Sequence, residues 1–132
     1  MKQQNPAINN LHRVDINNSK QWILVRGKNS EGPLVIHVQA GPGLPMISEA
    51  NTMEELLDLE KSHLVAYWDQ RGCGKSFQRG MDPKTINFAQ LTDDLIVCTQ
   101  FLLSQYKKNK AVLVGYSIGA TISLMAAVKN KN

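Results

Sequence analysis

The sequence predicts an α/β fold with a mostly parallel sheet and helices on both faces. Near-continuous apolar runs recur along the chain, as is typical of strands that are buried on both faces. After the first two strands, such runs alternate with segments in which apolar residues have helical spacing. With 132 residues, 42% of them hydrophobic and 20% charged, the chain has the composition of an ordinary globular protein and the length of one domain.

The first elements are predicted to form an antiparallel hairpin. Two short β-rich runs, LHRVDI and QWILVRG, are separated by the turn-like cluster NNSK. The N-terminus MKQQNPAINN has no apolar core and shows no signal peptide, and we expect residues 1–10 to be flexible. After a break that contains Gly and Pro comes LVIHVQ, a buried parallel strand by its pattern, and then the loop AGPGLP.

Three helices follow, separated by two further strands. Ser48 is a candidate cap for the first helix, whose faces are marked by Met53, Leu56, Leu57 and Glu60. The strand HLVAYW and the irregular stretch DQRGCGKSFQRGMDP come next. The second helix begins at about Phe88, because apolar residues recur at three- and four-residue spacing: Phe88, Leu91, Leu95, Cys98 and Leu102. AVLVGY is the last strand and IGATISLMAAVKN the third helix.

Charge and cysteine content exclude several function classes. The net charge of +4 is not gathered into one stripe, so we expect no nucleic-acid partner. No run approaches the ~18 apolar residues of a membrane helix, so we expect no membrane partner. Cys73 and Cys98 have neither metal-site nor CxxC spacing. We interpret them as free thiols in a reducing compartment, which predicts a cytoplasmic protein with no metal or cofactor.

The segment DQRGCGKS resembles a phosphate-binding P-loop but does not meet its requirements. A P-loop needs glycine five positions before its Gly-Lys pair, where this chain has Asp69. It also needs a helix directly after Lys75 and Ser76, which FQRGMDP cannot form. We expect a structural loop instead, in which Asp69 and Arg71 hold backbone groups or each other.

The strongest functional signal is GYSIG, a G-x-S-x-G sequence between a predicted strand and a predicted helix. This context is that of a nucleophile elbow, so Ser117 is the candidate catalytic nucleophile, with strained backbone angles and positive φ. Gly115 and Gly119 would remove side chains that clash in so sharp a turn. A backbone N–H from the loop QAGPGLP, expected at Gly41, and that of Ile118 could form an oxyanion hole.

Taken together, these motifs resemble the N-terminal half of an α/β-hydrolase, and within that superfamily the proline iminopeptidase group. That group carries His-Gly-Gly-Pro-Gly, then Asp-Gln-Arg-Gly-x-Gly-x-Ser, then the elbow; here QAGPG, DQRGCGKS and GYSIG follow in the same order. Gln39 and Ala40 stand where the group usually has His and Gly. The resemblance extends from about residue 11 to the end. It implies a serine hydrolase that transfers an acyl group to water from a small-molecule or peptide-like ester or amide, including aminopeptidase-like substrates.

The remaining triad members are not found in the sequence. The triad of this fold runs Ser, then Asp or Glu, then His, but the 15 residues after Ser117 include none of these. The histidines, His12, His37 and His63, all lie upstream, and we expect structural roles for them. A serine without a general base is a weak nucleophile, so we expect the chain to be inactive alone.

The fold implied by the resemblance also continues beyond this sequence. There the AVLV strand is central, whereas here it would be an apolar sheet edge through which copies could self-associate. We therefore expect residues 1–132 to be the N-terminal portion of one α/β-hydrolase domain, with the later strands, the cap, the acid and the His missing. An alternative from another class is a non-catalytic remnant or interaction module that keeps the elbow without a triad.

Overall fold

The computed structural model describes residues 7–41 and 43–130. The strands in this part of the chain are β1 (Ile8–Ile16), β2 (Ser19–Gly27), β3 (Leu34–Val38), β4 (Leu64–Asp69) and β5 (Ala111–Gly115). The α-helices are α1 (Ala50–Leu57), α2 (Phe88–Gln105) and α3 (Ile118–Lys129). Short 3-10 turns cover Ile47–Glu49, Gly74–Ser76 and Pro83–Thr85. The order of strands and helices therefore agrees with the sequence analysis.

All five strands form one sheet in the order β1-β2-β4-β3-β5. The entry hairpin is antiparallel, and its two turn residues, Asn17 and Asn18, have φ of 50° and 64°. Asparagine tolerates this left-handed conformation, which a two-residue hairpin turn requires. Strand β2 continues antiparallel onto β4, whereas β4, β3 and β5 are parallel to one another. The parallel strands bring their carboxyl ends, and the loops that follow them, to one edge of the sheet.

Helices cover both faces of the sheet. Helices α2 and α3 pack on one face, where the apolar stripe of α2 is buried against the strands: Leu91, Leu95, Cys98 and Leu102. The side chain of Asn87 caps α2 by accepting a hydrogen bond from the backbone N–H of Gln90. On the other face, the 3-10 turn and α1 contribute Met46 and Ala50 to a smaller cluster with Val65 and Tyr67 of β4.

The structure corrects three expectations about the first 60 residues. Residues 8–10, which we expected to be flexible, belong to β1 and pair with the end of β2; residues 1–6 lie outside the described residues. Ser48 does not cap α1, because it lies inside the 3-10 turn that precedes the helix. Helix α1 ends at Leu57, with Asp58 in the left-handed conformation, so Glu60 is not part of it.

The outer flank of the sheet is formed by β5 and α3. Strand β5 pairs with β3 on one side and, within residues 7–41 and 43–130, with no strand on the other. Apolar side chains are exposed here: Val112 is 54% exposed, Leu124 69% and Val128 67%. None of the described helices is long and apolar enough to cross a membrane.

Candidate active site

The GYSIG segment forms a sharp turn between β5 and α3. Strand β5 ends at Gly115, α3 begins at Ile118, and Ser117 between them has φ of 52° and ψ of −117°. The positive φ expected for this serine is thus confirmed. Ser117 is exposed and lies at the carboxyl ends of the parallel strands. A non-glycine residue in this region of backbone space is strained, and such strain clusters at functional sites.

The two flanking glycines are required by close backbone approaches. A Cβ atom at Gly115 would lie 2.6 Å from the Cα of Ala120 and from the carbonyl oxygen of Gly119. A Cβ atom at Gly119 would overlap the carbonyl oxygens of Val38 and Gln39 at the end of β3. The G-x-S-x-G spacing therefore lets α3 pass directly against both strands.

The loop after β3 is hydrogen-bonded to the elbow. The N–H of Tyr116 donates to the carbonyl of Val38 at 3.1 Å, and the N–H of Ile118 donates to the carbonyl of Ala40 at 3.2 Å. The N–H proposed from the sequence as an oxyanion donor at Ile118 is therefore engaged with the neighbouring loop. Gly41 lies beside the same turn, since a Cβ atom there would be 4.0 Å from the Cδ1 of Ile118.

Gln39, which stands where the resembled group has His, joins the loop after β3 to the DQRGCGKS loop through its buried amide. Its Nε2 donates to the carbonyl of Gly41 at 2.7 Å. Its Oε1 accepts from the N–H of Gln70 at 3.1 Å and from the thiol of Cys73 at 3.2 Å. Burial raises the pKa of Cys73 to about 11, partly opposed by its contact with Gln39, so the thiol keeps its proton at neutral pH and can donate. Both side-chain ends of Gln39 are thus satisfied inside the protein.

The DQRGCGKS segment is a structural loop, held chiefly by Asp69. The Oδ1 of Asp69 accepts from the N–H groups of Met46 at 2.7 Å and Ile47 at 2.9 Å, and its Oδ2 accepts from that of Lys75 at 2.9 Å. The carboxylate thus ties this loop, through the N–H of Lys75, to the turn before α1. No helix follows, because the 3-10 turn ends at Ser76. The expectation that Asp69 holds backbone groups is confirmed.

Arg71 pairs with a residue that the sequence analysis did not identify. Its Nε donates to Asp94 at 2.8 Å, and its guanidinium also reaches the carbonyl of Asn17 at 3.1 Å. Asp94 lies on α2 and is fully buried. An acidic residue on the buried face of a helix signals a buried partner. That signal is visible in the sequence, because Asp94 lies three residues after Leu91 and four before Cys98 on the apolar stripe.

None of the three histidines contacts the hydroxyl of Ser117. His37 is buried, with its Nδ1 3.0 Å from the hydroxyl of Tyr116, and its ring stacks on those of Tyr67 and Tyr116. His12 is hydrogen-bonded to the hydroxyl of Tyr106, and His63 contacts residues next to its own turn. Within the described chain, no side chain forms a hydrogen bond with the Ser117 hydroxyl, and no three His, Cys, Asp or Glu residues are grouped to hold a metal ion.

A pocket of about 320 Å³ opens between the loop after β3 and α1. Its lining includes Ala40 and Tyr116, which adjoin the elbow. The other lining residues come from the loop and from α1 with the turn before it: Gln39, Leu44, Pro45, Met46, Glu49 and Met53. The pocket is mainly apolar and lies on the side of the sheet covered by α1.

Comparison with known proteins assigns the chain to a family. A family model described as "Serine aminopeptidase, S33" matches residues 50–132, more than half of the chain. The chain belongs to the serine aminopeptidase S33 family. The probable aminopeptidase YbaC of Bacillus subtilis (strain 168) is a relative, 31% identical over 114 residues. The resemblance to α/β-hydrolases read from the three motifs is confirmed.

Solved structures support the α/β-hydrolase fold for this S33 family member. A proline iminopeptidase-related protein from Thermus thermophilus aligns with 94% of the chain at a TM-score of 0.74 and 24% identity. Epoxide hydrolase A from Mycobacterium thermoresistibile aligns with 91% of it at a TM-score of 0.66 and 26% identity. The chain covers 41% and 35% of these proteins, and 35% of the B. subtilis relative, although 86% of the chain takes part in that match. The chain thus spans roughly two fifths or less of the relatives it matches.

Proposed function

We propose that this S33 family member is a serine hydrolase in which Ser117 attacks the carbonyl carbon of an ester or amide and the acyl group is then transferred to water. The description of the family and the name of the B. subtilis relative, a probable aminopeptidase, support an aminopeptidase-like substrate, a small molecule or a peptide. The observation that carries the proposal is the backbone of Ser117, strained at φ of 52° between a strand and a helix and flanked by two required glycines. Such a turn exposes the serine hydroxyl above the N-terminus of the following helix.

The oxyanion hole would be formed by the N–H groups of Gly41 and Ile118, and it needs one rearrangement. The carbonyl of Ala40 now accepts the Ile118 N–H at 3.2 Å, so it lies where the substrate oxyanion would bind. The Ala40 carbonyl and the Gly41 N–H belong to the same peptide unit and point in opposite directions. A flip of this peptide would release Ile118 and turn the Gly41 N–H toward the vacated position. Glycine at position 41 permits the flip, because it has no side chain to rotate through its surroundings.

The general base for Ser117 lies outside the described residues in this proposal. The chain spans about a third of the B. subtilis relative, so the acid and His of the triad would come from further chain. Without them, the residual activity would come from slow attack by the unactivated Ser117 hydroxyl, assisted by the oxyanion donors. The alternative, a remnant or interaction module without chemistry, is favoured by one observation: the Ile118 N–H donates to an internal carbonyl, as in a loop with no ligand to bind.

Esterase activity of the 132-residue chain toward p-nitrophenyl acetate distinguishes a serine hydrolase from a module without chemistry. We expect turnover about 10⁴-fold or more below that of a complete triad, with the residual activity removed by Ser117→Ala. Ser104→Ala, at an exposed position near the end of α2, is the matched control and should change nothing. Residual activity that survives Ser117→Ala would refute the nucleophile assignment. Turnover at the level of a complete triad, abolished by Ser117→Ala, would show that the chain contains a base after all.

A further inference from the structure

The side-chain amide of Gln70 is buried and has no hydrogen-bond partner among the described residues. Gln70 directly follows β4 and is 1% exposed, and neither its Oε1 nor its Nε2 is paired. Its backbone N–H, by contrast, donates to the Oε1 of Gln39 at 3.1 Å. Most buried polar groups in native proteins are paired, so an unpaired buried amide needs an explanation.

The sheet places Gln70 and the elbow on opposite sides of the loop after β3. The parallel strands have the order β4-β3-β5, so this loop lies between Gln70, which follows β4, and the elbow, which follows β5. Ala40, in the middle loop, directs its carbonyl toward the β5 side, where it accepts the N–H of Ile118 at 3.2 Å. On the β4 side, the backbone of Gln70 is bonded to Gln39, the residue before Ala40.

The peptide flip that would open the oxyanion hole leaves one carbonyl in need of a donor. When the peptide between Ala40 and Gly41 flips, the Ala40 carbonyl leaves the N–H of Ile118 and turns toward the β4 side. The next peptide stays in place, because the Gly41 carbonyl is held by the Nε2 of Gln39 at 2.7 Å. The flip therefore moves the oxygen of a single peptide unit to the side of the loop on which Gln70 lies.

We propose that Gln70 is a positioning residue for the oxyanion hole, whose Nε2 donates to the Ala40 carbonyl in the flipped state. The inference rests on the proposed function and deepens it by naming the group that stabilises the competent loop. The flip then exchanges one hydrogen bond to the Ala40 carbonyl for another, so the two states are close in free energy. A substrate oxyanion, which binds only the flipped state, can shift such a balanced equilibrium.

Hydrogen exchange of two backbone amides in the elbow tests this role without relying on catalysis. The N–H of Ile118 is released by the flip, whereas the N–H of Tyr116, bonded to the Val38 carbonyl at 3.1 Å, is not. Gln70→Met removes the donor and keeps an unbranched side chain. We expect the exchange rate of Ile118 relative to that of Tyr116, measured by NMR in the 132-residue chain, to fall about fivefold, as for loss of one hydrogen bond from the open state.

The direction of this change distinguishes positioning from support of the fold. Loss of a purely structural contact would leave the ratio of the two rates unchanged, because both amides would open with the surrounding structure. Gln105→Met, the same substitution at an exposed position at the end of α2, is the matched control and should leave the ratio unchanged. A ratio that does not fall in Gln70→Met, or that falls equally in Gln105→Met, would overturn the proposal.

Residual ester hydrolysis connects the flip to the proposed reaction. In Gln70→Met, the Ser117-dependent turnover of p-nitrophenyl acetate should show kcat reduced about fivefold at unchanged KM, because the interaction acts only in the transition state. Unchanged kcat together with a reduced exchange ratio would also overturn the proposal. Absence of Ser117-dependent turnover in the unsubstituted chain would instead contradict the proposed function. The exchange ratio does not involve the Ser117 hydroxyl, so it would still decide whether Gln70 stabilises the flipped peptide.

Discussion

The loops at the carboxyl ends of β3 and β4 contrast with the outer flank formed by β5 and α3. In the first region, most polar groups are paired internally: Asp69 accepts three backbone hydrogen bonds, and Gln39 joins the loop after β3 to Gln70 and Cys73. The exception among the described residues is the buried side-chain amide of Gln70, neither end of which has a hydrogen-bond partner. In the second, Leu124 and Val128 of α3 expose two thirds of their surface. One region is stabilised within the described chain, and the other presents apolar surface that would gain from being covered.

The turn at Ser117 lies where these two regions meet. The contacts that shape the turn at Ser117 come from β3 with its following loop, β5 and α3. The strained backbone is therefore held by described elements on both sides of the turn. Strain of this kind persists only where surrounding structure over-determines it. Changes in the two regions should accordingly have different consequences, which the following experiments measure.

The largest effect is expected at Asp69. Asp69→Ala removes the acceptor of three backbone N–H groups, two at the start of the turn before α1 and one at Lys75. Each buried donor left unpaired costs about 1–3 kcal/mol, so we expect a loss of about 3 kcal/mol or more in the free energy of unfolding. Urea denaturation followed by circular dichroism measures it.

A second carboxylate provides the control for that experiment. Asp93→Ala removes an exposed ion pair with Lys129, and a surface pair contributes only about 0–1 kcal/mol. Equal destabilisation by the two substitutions would show that the Asp69 loop is not held as its hydrogen bonds indicate.

We propose that the flank mediates self-association. Substitutions on the flank should reduce association between copies while changing the free energy of unfolding very little. The double variant Val112→Lys, Val128→Lys places one lysine on the sheet edge and another on the exposed face of α3. These positions are 54% and 67% exposed. Edge lysines oppose strand pairing between copies. We expect the weight-average mass in sedimentation velocity to fall toward that of one chain, while the free energy of unfolding changes by less than about 0.5 kcal/mol.

Phe77→Lys is the matched control for the flank. Phe77 is 64% exposed but follows the 3-10 turn after β4, away from β5. Its replacement should leave the association unchanged. Monomeric behaviour of the unsubstituted chain at high concentration, or an equal effect of Phe77→Lys, would contradict the proposed role of the flank.

Much of the fold was predictable because its signals are local. The runs that became β3, β4 and β5 are almost continuously apolar, and the stripe of α2 has regular helical spacing. Ser48 was misassigned as a cap because capping was judged from neighbours in sequence. Ser48 lies instead inside a 3-10 turn whose first N–H groups, those of Met46 and Ile47, are held by Asp69, more than 20 residues later, and no local pattern reports such a contact.

The position of the candidate site could be predicted from the sequence, but the hydrogen bonds of its backbone could not. Gly115, Ser117 and Gly119 have a spacing that one turn geometry explains, and their backbone could be inferred from it. The hydrogen bond between the Ile118 N–H and the Ala40 carbonyl could not, because it depends on how one peptide unit of the facing loop is turned. The contact of His37 with Tyr116 was missed for a similar reason, since it joins two segments that are 79 positions apart in sequence.

The smallest expected effect concerns the pH dependence of stability that arises from the buried side chain of His37. Burial lowers the pKa of His37, partly opposed by the charge of Glu60; the other ionisable groups that face its ring are Tyr67 and Tyr116. Between the lowered pKa and the ordinary value of about 6.5, the unfolded chain binds more protons than the folded one. Stability should therefore decrease as the pH falls through this window.

Melting temperatures at pH of about 7.5 and about 5.5, which span the ordinary histidine pKa, measure this dependence in the unsubstituted chain and in His37→Gln. The substitution removes the buried imidazole, so the decrease at the lower pH should be smaller in the variant. Burial also lowers the pKa of His12, on the hairpin, and His12→Gln should reduce the decrease by a further increment. An identical decrease with and without His37 would mean that its ring accepts a proton in the folded protein as easily as in the unfolded chain. The stacking of His37 on Tyr67 and Tyr116, beside one wall of the pocket, would then be looser than the ring geometry indicates.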